Sequence, residues 1–142
     1  MKKIAKALAA CSLALLLCVC LVACEASYSA TEIKNKLTNA GYTVSESYDI
    51  EFDDETKASQ LPGIQKIYTV VKGEGTDKEV SIFLVFDSIG NAENGVPDQK
   101  LVSLFDEARS QSGTNKKGDI TGGRYNNVVF AGSQVCRNAA GI

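Results

Sequence analysis

The sequence predicts an α+β domain: one antiparallel sheet of four to five strands, with helices packed on one face. Three observations lead there. Apolar spacing switches repeatedly between the helical period and the period of two. Successive strand-like runs are separated by short turns, which suits hairpins better than crossovers. The element order, α-β-β-β-α-β-β-α, contains no internal repeat and fits within a single domain of 142 residues.

The first element is a helix over 30–40. Ser29-Ala30-Thr31-Glu32 has the form of a capping box, with the Ser29 hydroxyl accepting from the Glu32 amide. Ala30, Ile33, Leu37 and Ala40 share one face, and Gly41 supplies the left-handed residue that ends many helices. From Tyr42 to Phe52 the period becomes two: Tyr42, Val44, Tyr48, Ile50 and Phe52 alternate with polar residues and predict a half-buried strand. The polar stretch 53–63, ending Leu61-Pro62-Gly63, is a loop.

Two further strands follow, 64–72 and 79–86, joined by a glycine-containing turn. In the second, Val80, Ile82, Leu84 and Phe86 occupy one side while Phe83 and Val85 occupy the other, as expected of a central strand. Residues 88–98 form a loop or a single helical turn. Asp98 then caps a helix whose buried stripe is Leu101, Leu104, Phe105 and Ala108. Residues 120–125 and 128–131 make a closing hairpin around Asn126-Asn127, and Ser133 caps a last helix reaching Ala140. This order resembles the small helix-on-sheet domains of extracytoplasmic lipoproteins, including cystatin-like and inhibitor-like folds, in arrangement only.

The N-terminus carries a different kind of information. Lys2, Lys3 and Lys6 precede seventeen uncharged residues, 7–23, rich in leucine and ending in a small residue. Leu21-Val22-Ala23-Cys24 resembles the lipobox of bacterial lipoproteins. The resemblance implies a leader over 1–23, recognised through Leu21, Val22 and Ala23, and diacylglyceryl transfer to Cys24. It further implies a short tether over 24–29, a domain over 30–142, and an extracytoplasmic address on the outer face of the plasma membrane or its periplasmic side. Leu8-Ala9-Ala10-Cys11 mimics the pattern, but only four residues separate it from Lys6. Cys18 and Cys20 follow the bulky Leu17 and Val19.

Removing such a leader changes the composition. All 17 acidic residues remain beside 12 basic ones, so the net charge moves from −2 to −5. An acidic domain with no basic run is a poor match for nucleic acid. Of five cysteines only Cys24 and Cys136 stay, and no internal disulfide is expected. The chain contains no histidine, which removes Ser/His and Cys/His catalysis and most zinc sites. Cys136, flanked by Val135, Ala139 and Ala140, is expected to be a buried small hydrophobe.

The segment 49–55 is the most function-like local feature. Asp49, Glu51 and Asp53 would share one side of an extended strand, as weak candidates for a hard cation. An EF-hand is excluded, because its sixth and twelfth positions hold Asp54 and Gln60. A solvated edge that discourages strand pairing explains the charges equally. No cofactor is expected. These readings favour a non-catalytic interaction or ligand-binding module, tied to membrane lipid through Cys24 and meeting an envelope protein or wall component. An exposed sheet face or the 57–63 loop would make that contact. The alternative is a small envelope enzyme or metal-dependent factor using 49–55.

Overall fold

The computed structural model describes residues 27–47 and 50–142. Nine principal elements follow one another: α1 (Ala30–Asn39), β1 (Thr43–Glu46), β2 (Ile64–Lys72), β3 (Glu79–Phe86), α2 (Ile89–Gly95), α3 (Asp98–Gln111), β4 (Ile120–Tyr125), β5 (Val128–Ser133) and α4 (Gln134–Ala140). The sheet is wholly antiparallel, five strands in the order β1-β2-β3-β5-β4. The α+β class, the single sheet and the alternation of elements are those the sequence predicts.

The helices differ from expectation in one respect: they cover both faces of the sheet. Tyr68, Val70, Phe83, Val85, Val128 and Phe130 pack with Ile33 and Leu37 of α1 and Cys136 and Ala140 of α4. Ile67, Ile82, Leu84, Phe86, Val129 and Ala131 pack with Ala92 of α2 and Leu104 and Ala108 of α3. The physical reason is visible in β3, where all eight residues are buried. A strand apolar on both sides needs an apolar layer over each. The central strands β3 and β5 are therefore buried along their whole length, and exposed sheet residues are confined to the other strands, chiefly β1 and β4 at the edges.

Residues 42–52 also depart from the single strand their alternation suggests. The ladder ends at Glu46, whose partner is Tyr68. Tyr42 and Val44 belong to the α1–α4 layer, whereas Ile50 and Phe52 are buried in the α3 layer with Ala58 and Leu61. The chain has passed around the sheet edge, and periodicity alone does not register the crossing. The 57–63 loop is used inward as well. Ala58 and Leu61 are buried, and the Ala58 amide donates to the Ile50 carbonyl at 2.8 Å.

Other junctions follow local chemistry. Ser29 caps α1 through its hydroxyl, 3.4 Å from the Glu32 amide, and Gly41 adopts φ +87° just past its end. Ser88 caps α2, a seven-residue helix where a loop or single turn was expected. Pro97, not Asp98, holds the N-cap position of α3. Asp98 is instead its first residue, and its carboxylate pairs with Arg124 at 2.6 Å. Asn126 takes φ +53° in the β4–β5 turn, and Ser133 caps α4 by accepting from the Cys136 amide at 3.1 Å.

Candidate functional site

The two ends of the sheet are built differently. At one end β3 finishes at Phe86 and β5 begins at Val128. Buried Asn127 joins them: its carbonyl accepts from the Phe86 amide at 2.8 Å, and its side-chain Nδ2 donates to the Phe86 carbonyl at 2.9 Å. The same side chain grips the segment entering α1. Oδ1 accepts from the Tyr28 amide at 2.7 Å, and Nδ2 donates to the Tyr28 carbonyl at 2.9 Å. The chain just upstream of the domain is thus fixed to this end.

At the opposite end, β2 finishes at Lys72, β3 begins at Glu79, β4 begins near Thr121, and β5 gives way to α4. Side chains there surround an open cleft of roughly 690 Å³, within the usual range for small-molecule sites. Tyr42, Lys72, Glu79, Lys116, Ser133 and Val135 are among its lining residues. An eight-residue strand rises about 24 Å from one end to the other, which sets the scale of their separation.

Glu79 is one of the residues lining this cleft. It is only 9% exposed, and its Oε1 accepts from the Ser133 hydroxyl at 2.6 Å. Lys72 is its cross-strand partner, yet the Lys72 ammonium donates to the Ala40 carbonyl at 3.2 Å and stands 4.7 Å above the Tyr42 ring. Burial pushes the Tyr42 phenol up to about 12, with the neighbouring Cys136 and Glu79 adding to the effect.

Cys136 is fully buried beside these groups, as its apolar neighbours predict. Burial pushes its thiol up to about 12, against a smaller opposing contribution from the Ser81 hydroxyl. A thiol held so far above neutrality supplies no thiolate nucleophile at ordinary pH. Opposite Ser81 across the β3–β5 ladder stands Gly132. A Cβ there would overlap the Ser81 side chain, so the position is restricted to glycine by space.

Of the acidic candidates, Glu51 and Asp53 lie among the described residues. Asp49 lies outside the described residues. Glu51 forms an antiparallel bridge with Lys57, and the chain then turns. The Phe52 amide donates to the Thr56 carbonyl and the Glu55 amide to the Phe52 carbonyl, both at 2.9 Å. Asp53 therefore does not continue an extended edge from Glu51, correcting the expectation of carboxylates aligned along one strand. Asp53 and Asp54 line a second groove, of roughly 540 Å³, with Lys100 and Phe52. Hydrogen bonds from Thr56, and then Lys100 at 3.3 Å, hold the Asp54 carboxyl below its ordinary range. Among the described residues, no three carboxylate or thiol side chains are grouped so as to hold a metal.

Cys24 and its neighbours Leu21, Val22 and Ala23 lie outside the described residues. Among those described, no helix is long and apolar enough to cross a membrane. The cleft was not among the candidates the sequence offered. Its residues come from positions as distant as 42, 79, 121 and 133, and no local motif links them. No protein-family model matches the chain, and comparison with curated proteins and with solved structures returns no match.

Proposed function

We propose that this protein is a lipid-anchored, extracytoplasmic module of a bacterial envelope that binds a ligand or partner and does not catalyse a reaction. The observation that carries this reading is the placement of Tyr28. Asn127 fixes it to one end of the sheet, and the larger cleft opens at the other. Only Glu25, Ala26 and Ser27 separate Tyr28 from Cys24, so a lipid on Cys24 lies within about 14 Å of the clamped residue. An anchor there brings the Asn127 end close to the bilayer and turns the cleft toward the envelope space. Membrane lipid is then one partner, and an envelope protein or wall component the other.

Two features support a binding role over a catalytic one. The chain has no histidine to act as a base near neutral pH, and the Cys136 thiol is silenced by burial. The second groove adds nothing to a metal-dependent alternative, since its Asp54 carboxylate is already engaged by Thr56 and Lys100.

Substituting Cys24→Ser tests the anchor. The expected result is loss of lipid labelling and release from the membrane fraction; retention with unchanged labelling overturns it. Orientation is read separately by Gln134→Cys at the cleft rim. That thiol is expected to react with a membrane-impermeant maleimide in intact cells stripped of outer layers.

A further inference from the structure

We propose that the Glu79 cleft binds an organic cation, a primary ammonium or guanidinium group, with the Glu79 carboxylate as its counter-ion. This rests on the ligand-binding reading above and deepens it by naming the site and the ligand chemistry. It is independent of the lipid anchor.

The argument begins with an imbalance. The ion pairs among the described residues are Lys66–Glu46, Lys100–Asp54 and Arg124–Asp98, and none reaches Glu79. The residue is nonetheless about nine-tenths buried, its carboxylate accepting from the Ser133 hydroxyl at 2.6 Å and hydrogen-bonded to the Tyr42 phenol. A carboxylate withdrawn from water and left with neutral donors is strongly disfavoured relative to one with a cation beside it. The nearest basic side chain by register, Lys72, directs its ammonium to the Ala40 carbonyl and the Tyr42 ring and makes no direct ion pair with Glu79. A ligand cation can therefore pair directly with Glu79, through a cleft large enough to admit it.

The surroundings select the kind of cation. A bare metal ion needs several protein ligands, and no three carboxylate or thiol side chains group together among the described residues. An ammonium or guanidinium brings its own hydrogen-bond donors and fits a single carboxylate. Asp77 and Asp119 add negative charge to the same wall, and Val135, 69% exposed, offers an apolar surface to a hydrocarbon stem. Lys116 is the other basic lining residue, against three acidic ones.

The test is an NMR titration of the full chain in detergent with butylguanidine and butylamine hydrochlorides, and butyramide as the neutral control. Both cations are expected to give saturable shifts of the Thr121, Ser133 and Val135 amides, with none from butyramide. Glu79→Gln keeps the shape and is expected to weaken binding about tenfold or more. Val135→Lys, at an exposed position that leaves folding intact, is expected to weaken it several-fold by adding positive charge at the mouth. Cations binding no better than butyramide, binding unchanged in Glu79→Gln and Val135→Lys, or shifts confined to the Asp53–Asp54 groove each overturn the proposal. If cations fail while a photocrosslinker at Val135 still captures an envelope partner in cells, the ligand class is wrong and the binding reading stands.

Discussion

The two ends of β3 receive polar groups in opposite ways. At the Phe86 end, Asn127 is neutral, and its amide accepts one hydrogen bond and donates two, all to backbone groups of Tyr28 and Phe86. At the Glu79 end, a charged side chain sits with hydroxyl and thiol neighbours beside a cleft. A buried amide with its partners supplied locks two segments together. A buried carboxylate with no direct ion pair can take one from a ligand that enters. The same strand thus ends once in a joint and once in a site, and only the joint is complete within the chain.

The joint can be broken with one substitution. Asn127→Ala removes three hydrogen bonds and leaves the Phe86 carbonyl, in a buried strand end, without its side-chain donor. At about 1 kcal/mol for each bond, the domain is expected to lose about 3 kcal/mol, read from the midpoint of urea unfolding. The amides of Tyr28 and Ser29 are expected to exchange with solvent faster, because the segment entering α1 loses its grip. Unchanged stability, or unchanged exchange at Tyr28, would show that the two ends are not so different.

Asn127 also marks how far the sequence could be read. Asn126-Asn127 announces a tight turn, and the hairpin forms around it, but nothing local announces that Asn127 reaches back ninety-nine positions to Tyr28. The same division holds elsewhere. Caps and periods act over a few residues, so Ser29, Gly41, Ser133 and the strands 64–72 and 79–86 were legible. Glu79 resembles any polar residue opening a strand, and its burial depends on Tyr42 and Ser133 arriving from elsewhere. The two-sided covering of the sheet was latent in the apolar run of β3, which a one-faced arrangement leaves unexplained. The acidic run 49–55 is conspicuous because its charges are adjacent in sequence, yet the turn after Phe52 takes Asp53 and Asp54 out of the extended line of Glu51.

A second substitution acts beside the cleft. In Gly132→Ala the new methyl meets the Ser81 side chain and the Phe130 ring, and β5 has no room to move between β3 and β4. A loss of about 2 kcal/mol is expected, the usual cost of overpacking, measured by thermal or urea unfolding. Adding Ser81→Gly removes the opposing atoms and is expected to restore part of the loss. Absence of any recovery would place the strain somewhere other than the Ser81–Gly132 contact.

The gentlest probe is pH, because the two groups whose protons burial holds most tightly, Cys136 and Tyr42, both lie at the Glu79 end. Asn127 does not titrate, whereas the Glu79 end holds a thiol raised from an ordinary 9.0 to about 12 and a phenol raised from 10.0 to about 12. Both groups are neutral when protonated, and both hold that proton more tightly in the folded chain. Their contribution to stability is thus complete below pH 9 and declines as pH rises toward 12, the unfolded chain releasing its protons first. For Cys136 alone the slope approaches about 1.4 kcal/mol per pH unit within that window. Cys136→Ala is expected to flatten the decline from pH 9 upward, and Tyr42→Phe to flatten it from pH 10. Because Cys136 and Tyr42 both lie at the cleft, amide exchange at Val135 and Cys136 should quicken with alkali before exchange at Asn127 reflects anything beyond the ordinary rise with hydroxide. A decline of equal steepness in both variants would mean that the alkaline weakness lies elsewhere, and that the open end is no more vulnerable than the closed one.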